Sequence, residues 1–210
     1  MSYKISAFSF SHSVNSMQTR GLQLMNKYIN FHTCKSMIDY DISICNSNVC
    51  DGVVPKSIEQ FDNDLNDADI LIFAIAESTG HYACGLKNVM DWLVVKSQYN
   101  NSLGTSYGFS NKPIFIITFT PSYEAGNRHF DMTKHLLQDK MGGNIIECFV
   151  KNDCWRYLVP DNKNFVKTEC NYILDYANTW TRLEKIEQKK YADVNQWLER
   201  YTEWNNKWKI

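Results

Sequence analysis

The chain has 210 residues, of which 44% are apolar, so it is long and apolar enough for a folded domain and is not a disordered tether. Twenty-two basic against 23 acidic residues leave a formal net charge of −1, which points to neither a nucleic-acid nor a membrane-surface partner. The seven cysteines show no C-x-x-C pair and no accompanying His pair, so they read as reduced thiols of a cytoplasmic protein, not as zinc ligands.

Tyr3 to Phe8 reads as a first strand. The turn after it, Ser9-Phe10-Ser11-His12-Ser13-Val14-Asn15-Ser16, is rich in hydroxyls and leads into a helix to about Tyr28. Met17, Gly21, Leu24, Met25 and Tyr28 would share one face of that helix. Two readings of the turn stand side by side. Free amides and the positive end of the helix dipole would cradle a phosphate, or Ser13 or Asn15 caps the helix. Met37 to Ile44 alternates weakly and is predicted as a second strand, followed by a turn-rich loop over 46–55. Lys56 to Asn66 fits a helix with Ile58, Phe61 and Leu65 inward.

Ile70 to Ala76 is an unbroken apolar run, the pattern of a central parallel strand covered on both faces. It stops at Glu77-Ser78-Thr79-Gly80-His81. A helix from about Ala83 to Lys96 follows, with Leu86, Val89, Met90 and Leu93 at helical spacing. Ser97 to Asn111 is a long polar connection that either lines a substrate entrance or makes a surface excursion. Ile114 to Phe119 is another buried strand, and its loop runs from Thr120 to Asn127. Arg128 to about Met141 reads as a helix stopped by Gly142-Gly143, and Asn144 to Val150 supplies a fifth strand. Five strands linked by helices predict an α/β fold with a doubly wound parallel sheet, whose ligand crevice lies at the carboxyl ends of the strands. The whole chain, 1–210, is expected to form a single domain: a core over about 3–150 and a helical, Trp-rich extension over about 165–210. In that extension Val194, Trp197, Leu198, Tyr201, Trp204 and Trp208 form a stripe at helical spacing. The stripe either packs on the body or a second subunit, or serves as a lid or docking surface.

Several chemistries find no motif. His12, His32, His81, His129 and His135 form no H-x-x-x-H or H-E-x-x-H arrangement, so no metal site is expected. No G-x-S-x-G elbow and no Walker phosphate loop occur. A phosphoacceptor domain would need acidic residues after the first strand, where the chain has Phe8-Ser9-Phe10. Cys84 near a helix start is either a lowered-pKa thiol or a small residue permitting close packing.

Three segments resemble the NAD(P)H-dependent FMN reductases, which are flavodoxin-like proteins. Leu86-Lys87-Asn88-Val89-Met90-Asp91-Trp92 matches that family's L-K-N-A-x-D-W helix in its L-K-N-x-x-D-W part. The preceding Ala76-Glu77-Ser78-Thr79-Gly80-His81 stands in place of P-E-Y-N-G-S and keeps the Glu and the Gly. Ile5 to Asn15 aligns without gaps to I-S-G-S-x-R-x-x-S-x-N, matching at Ile5, Ser6, Ser13 and Asn15. Ala7, Phe8 and Phe10 replace the family's Gly, Ser and Arg. Gly126 and Arg128 resemble the end of a third loop, S-x-x-x-G-G-x-R, which lies against the flavin ring in the family. The resemblance covers about Ile5 to Val150.

The resemblance implies strand order 2-1-3-4-5 and non-covalent FMN, with NADPH or NADH as co-substrate. It implies a cofactor site built from Ser9, Ser11, His12, Ser13 and Asn15, from Ala76, Glu77, Ser78, Thr79, Gly80 and His81, and from Thr120, Ser122, Tyr123 and Gly126. Among these, His12 and His81 read equally as solvent-facing loop residues and Tyr123 as ordinary surface. No residue is expected to act as a catalytic acid or base, because the cofactor carries the chemistry. The implied reaction passes a hydride from NAD(P)H through FMN to a small-molecule acceptor such as flavin, a quinone, an azo compound or a metal oxyanion. The expected assembly is a homodimer or homotetramer using the L-K-N helix. The competing reading is a flavodoxin-like electron carrier or a flavin-free binding protein of the same fold. Shuttling carriers are usually strongly acidic, and this chain is not.

Overall fold

A computed structural model describes residues 3–46, 54–99, 107–158 and 162–180. The chain divides into two compact units, residues 1–170 and 171–210. Within the first, β1 (Ile5–Ser9), β3 (Ile70–Ala74) and β6 (Pro113–Phe119) are wholly buried. Their unbroken apolar runs need cover on both faces, and helices supply it. β2 (Thr33–Ser36) and β7 (Asn144–Lys151) form the edges and are only partly buried. All pairings in this sheet are parallel, in the order β2-β1-β3-β6-β7. Two further strands, β4 (Glu77–Ser78) and β5 (His81–Tyr82), form a separate antiparallel hairpin. Setting that hairpin aside, the order is the flavodoxin-like 2-1-3-4-5. Right-handed crossovers then carry the loops after β1, β3 and β6 to one rim.

Helices α1 (Met17–Ile29), α2 (Lys56–Asn66), α3 (Cys84–Tyr99), α4 (Phe130–Lys134) and α5 (Cys154–Leu158) connect and follow the strands. α4 continues as a wider π turn over His135–Lys140. One face of the sheet carries Phe8, Leu71, Phe73 and Ile116 against Phe61 and Leu65 of α2 and Leu86, Val89, Met90 and Leu93 of α3. α1 lies on the other face, and Gly21 is what lets it approach. A Cβ on Gly21 would come within 2.3 Å of the Phe119 ring. Burying an aromatic or branched aliphatic side chain contributes about 1.5–3 kcal/mol each, so this two-sided core carries most of the unit's stability.

Several expected boundaries move. The second strand is Thr33–Ser36, not Met37–Ile44; Met37–Tyr40 forms a 3-10 turn with a capping box from Ser36 and Asp39. Met37 and Tyr40 are buried there as core residues, which is the apolar signal mistaken for strand alternation. The central strand ends at Ala74, two residues early, because the chain leaves the sheet to form the hairpin. α3 reaches Tyr99, and the connection expected over 97–111 returns as a turn with Tyr107 and Phe109 buried. The fourth helix starts at Phe130 instead of Arg128. The last part of the first unit holds a 3-10 turn, Lys163–Val166, and the chain is helical over 167–180. The predicted stripe from Val194 to Trp208 lies outside the described residues, as do residues 47–53 and 100–106. No helix among the described residues is long and apolar enough to cross a membrane.

Candidate functional site

The turn after β1 begins in the core. Ser9 is buried, and its Oγ accepts a 2.9 Å bond from the Thr19 hydroxyl. Phe10 donates its amide to the Ala74 carbonyl at 3.0 Å and buries its ring edge-on against Phe61 and Phe73. The family's cationic position is therefore an anchor of the turn. From there the chain runs outward: Ser11 is half-buried and His12, Ser13, Val14 and Asn15 are exposed. The Ser13 amide donates to Ser11 Oγ and the Ser16 amide to the Ser13 carbonyl. Among the described residues the amides of His12, Val14 and Asn15 find no acceptor. Ser16, and neither Ser13 nor Asn15, caps α1, accepting from the Gln18 amide at 3.1 Å. Ser13 and Asn15 are thus left without the capping task.

The second segment is the β4–β5 hairpin, where a plain loop was expected. Thr79 (φ +52°) and Gly80 (φ +82°) occupy its two central positions, and both have left-handed backbone. That geometry suits the right-handed twist of a two-residue hairpin. Gly80 adopts it freely, whereas Thr79 is a β-branched residue in strained backbone. The Ala83 amide closes the base on the Ala76 carbonyl. Ser78, Thr79 and His81 are exposed, and Ala76 and Gly80 partly so. The helix that follows shows what the L-K-N-x-x-D-W residues do. Leu86 and Trp92 are buried, and Trp92 Nε1 donates to the Ser43 carbonyl. Asn88 holds the same segment twice, accepting from the Cys45 amide at 2.7 Å and donating to the Ser43 carbonyl at 3.0 Å. Lys87 and Asp91 pair along the exposed face. Gly85 sets the contact with the first turn. A Cβ there would lie 2.5 Å from the Phe10 carbonyl oxygen and 2.8 Å from His12 Nδ1. Cys84 is exposed.

The third segment, after β6, is pinned from two sides. Asn152 Nδ2 donates to the Ser122 and Ala125 carbonyls, and the Cys154 amide donates to the Thr120 carbonyl. Thr120 Oγ1 accepts from the Ser122 amide, and Ser122 Oγ from the Glu124 amide. On the hairpin side, Glu77 Oε2 accepts from the Gly126 amide at 2.9 Å and the Arg128 amide at 3.1 Å. Gly126 has φ +108°, and a Cβ on it would meet Val150 Cγ1 at 2.9 Å. Tyr123 stands 73% exposed.

Beneath this loop His129 is fully buried. Thr118 gives its single hydroxyl proton to the Ile75 carbonyl, so the 2.8 Å contact between Thr118 Oγ1 and His129 Nε2 requires the ring nitrogen to donate. His129 Nδ1 meets the Thr133 hydroxyl at 2.9 Å. Burial favours the neutral ring and pulls its pKa from 6.5 to about 4, opposed by the charge of Glu77. Gln18 makes a comparable lock: its side chain donates to the Phe119 carbonyl at 2.7 Å and accepts from the Phe119 amide at 3.0 Å. Sequence reading passed over Gln18, His129 and Asn152, because each acts on backbone remote in the chain and leaves no local pattern. It also passed over a cavity of about 230 Å³ beside the first turn, lined by Ser9, Val14, Thr19, Lys35 and Asp39 among others.

All three segments thus meet at the carboxyl rim. The first offers unpaired amides at a helix N-terminus, hydroxyls of Ser11 and Ser13, and the exposed ring of His12, a donor set that fits a phosphate monoester. The second and third offer hairpin backbone and Tyr123, which fit the edge and face of a flat ring. Ser9 and Glu77 already spend side-chain acceptors on the protein itself. Among the described residues no cluster of His, Cys, Asp or Glu could hold a metal ion.

Residues 4–152 match the family model described as NADPH-dependent FMN reductase. No curated protein matches the chain in sequence. Solved structures share its fold at low identity. The flavoenzyme NAD(P)H:(acceptor) oxidoreductase FerB from Paracoccus denitrificans has a TM-score of 0.53 and 15% identity, over 69% of this chain and 74% of its own. The NAD(P)H:quinone oxidoreductase from Methanothermobacter marburgensis gives 0.53 and 11%, over 80% and 98%. An azoreductase from Bacillus anthracis str. Sterne gives 0.51 and 10%, over 85% and 100%.

Proposed function

The chain belongs to the NADPH-dependent FMN reductase family, and we propose that it is an NAD(P)H oxidoreductase that binds FMN at the carboxyl rim and reduces a small-molecule acceptor. The acceptor class is flavin, quinone, azo compound or metal oxyanion. The observation that carries the reading is the convergence of the three segments, with the free amides of His12, Val14 and Asn15 in the first of them. When bound, FMN supplies the hydride-accepting and hydride-donating chemistry. The protein's part is binding and orientation. The 11–16 turn would hold the phosphate through amides and hydroxyls with little added charge. The backbone of residues 76–81, together with Ser122 and Tyr123, would hold the ring. His129, buried beneath the β6 loop, ties Thr118 of β6 to Thr133 of α4. The exposed face of α3, with Lys87 and Asp91, is our candidate for a homodimer contact.

The test is consumption of NADH and NADPH by the FMN-loaded protein with a quinone as acceptor. The reading expects turnover with at least one of the two nucleotides. A protein that carries FMN yet transfers no electrons from either nucleotide would be a carrier. A protein that stays colourless after incubation with FMN would refute the flavin reading.

A further inference from the structure

Glu77 occupies the one loop position, besides Gly80, where the hairpin keeps its family's residue, and the natural reading makes it a ligand of the flavin. The geometry points to a different role: we infer that Glu77 is a positioning residue, a clamp that joins the β4–β5 hairpin to the loop after β6 into one rigid jaw for the flavin ring. The inference rests on the flavin reading above.

Three facts carry it. First, the carboxylate is spent on protein. Oε2 accepts from both the Gly126 and the Arg128 amides, at 2.9 and 3.1 Å, and only 9% of the side chain is exposed. Bonds from amides to a carboxylate are about twice as strong as neutral ones. Second, every partner lies in the other loop. The Arg128 guanidinium stands 3.9 Å from Oε1, but its side chain is 65% exposed, so that pairing adds little. Third, the partner loop needs holding at that point. Gly126 sits in left-handed backbone packed against Val150, Thr120 and Thr118, and Asn152 pins only the stretch from Ser122 to Ala125. Without Glu77, the Gly126 and Arg128 amides lose their only acceptor among the described residues.

Both amides the carboxylate holds belong to the loop after β6, and none belongs to the 11–16 turn. Loss of the clamp therefore weakens binding of the ring and leaves the phosphate contacts alone. This separates Glu77 from a phosphate ligand and from a residue of purely global stability.

The experiment compares wild type with E77A and E77Q in two measurements. Amide hydrogen exchange in the flavin-free proteins reads the clamp itself. E77A should speed exchange at Gly126 and Arg128, by roughly tenfold or more per lost bond, while the sheet amides of β1, β3 and β6 stay as in wild type. Binding of FMN and of riboflavin reads the consequence. E77A should raise both Kd values by the same factor, again about tenfold or more. E77Q can place its amide oxygen where Oε2 stands, and should recover most of both effects. Unchanged exchange at both amides in E77A overturns the clamp. So does an E77A that weakens FMN but not riboflavin. If E77A fails to fold, E77L, which keeps a side chain of similar bulk but removes the acceptor, carries the test: it should quicken those two amides, and an unchanged rate at both overturns the inference. A wild-type protein that binds neither flavin defeats the functional reading, whereas the exchange result still decides the clamp.

Discussion

The turn after β1 and the loop after β6 sit at the same rim of the same sheet and are built in opposite ways. The first roots itself through one buried ring, Phe10, and then leaves three amides without an acceptor and the Ser11 and Ser13 hydroxyls free to donate. The second is closed on itself and on its neighbours through Asn152, Glu77 and the buried His129. An open set of donors at a helix N-terminus is what an anion needs. A loop held in place by side chains from outside it suits a flat ring, which asks for a fixed surface more than for hydrogen bonds. The difference supports our proposal that the phosphate goes to one side and the ring to the other, and each part of that proposal can be broken separately.

The largest effect is expected at the root of the open turn. F10A removes a fully buried ring that meets Phe61 and Phe73, and should cost about 3–5 kcal/mol in denaturant unfolding. A loss under about 1 kcal/mol would mean that the turn is not anchored there. Next comes the charge of the cradle. S13D places a carboxylate among the candidate phosphate donors and should raise the Kd for FMN by about a hundredfold, with riboflavin affected far less. Equal losses for the two ligands would put the phosphate elsewhere.

The closed side predicts a pH effect. Native His129 titrates near 4 and an unfolded histidine near 6.5, so between those values the unfolded chain holds the extra proton. Stability is then complete above about 6.5 and falls as the pH drops towards 4, by up to about 3 kcal/mol. H129Q should be less stable at pH 8 but show a flatter decline across that window. Parallel pH profiles for the two proteins would remove His129 from the account. The smallest effect belongs to the hairpin tip. T79N replaces a β-branched residue at φ +52° by one that tolerates left-handed backbone, and should raise stability by about 0.5 kcal/mol. A melting temperature that falls instead would show that the Thr79 hydroxyl, which donates to the Ser78 carbonyl, outweighs the strain.

The sequence made the same two sides unequally legible. β3 and β6 were readable because both faces are buried, which leaves unbroken runs such as Ile70–Ala74. β2 was not, because an edge strand reading Thr-Cys-Lys-Ser carries no apolar pattern, while the neighbouring Met37 and Tyr40 serve the core from a 3-10 turn. The hydroxyls of the open turn stood out as a run. Which of them caps α1 was not decided by composition, since Ser13, Asn15 and Ser16 are all competent; the fold chose Ser16. The closed side was nearly invisible. Glu77 and Gly126 were noticed through a family resemblance, but their bond spans 49 positions in the chain, and nothing near either residue announces it. Asn88 and Trp92 were likewise legible as a motif and illegible as anchors of residues 43–45.

The most direct measurement is a titration of the full chain with FMN, followed by flavin fluorescence and absorption, with riboflavin as the comparison. The account predicts one FMN per chain, a perturbed flavin spectrum, and tighter binding of FMN than of riboflavin because the open turn takes the phosphate. A flavin spectrum that stays that of the free molecule at saturating protein would contradict it, as would riboflavin binding as tightly as FMN.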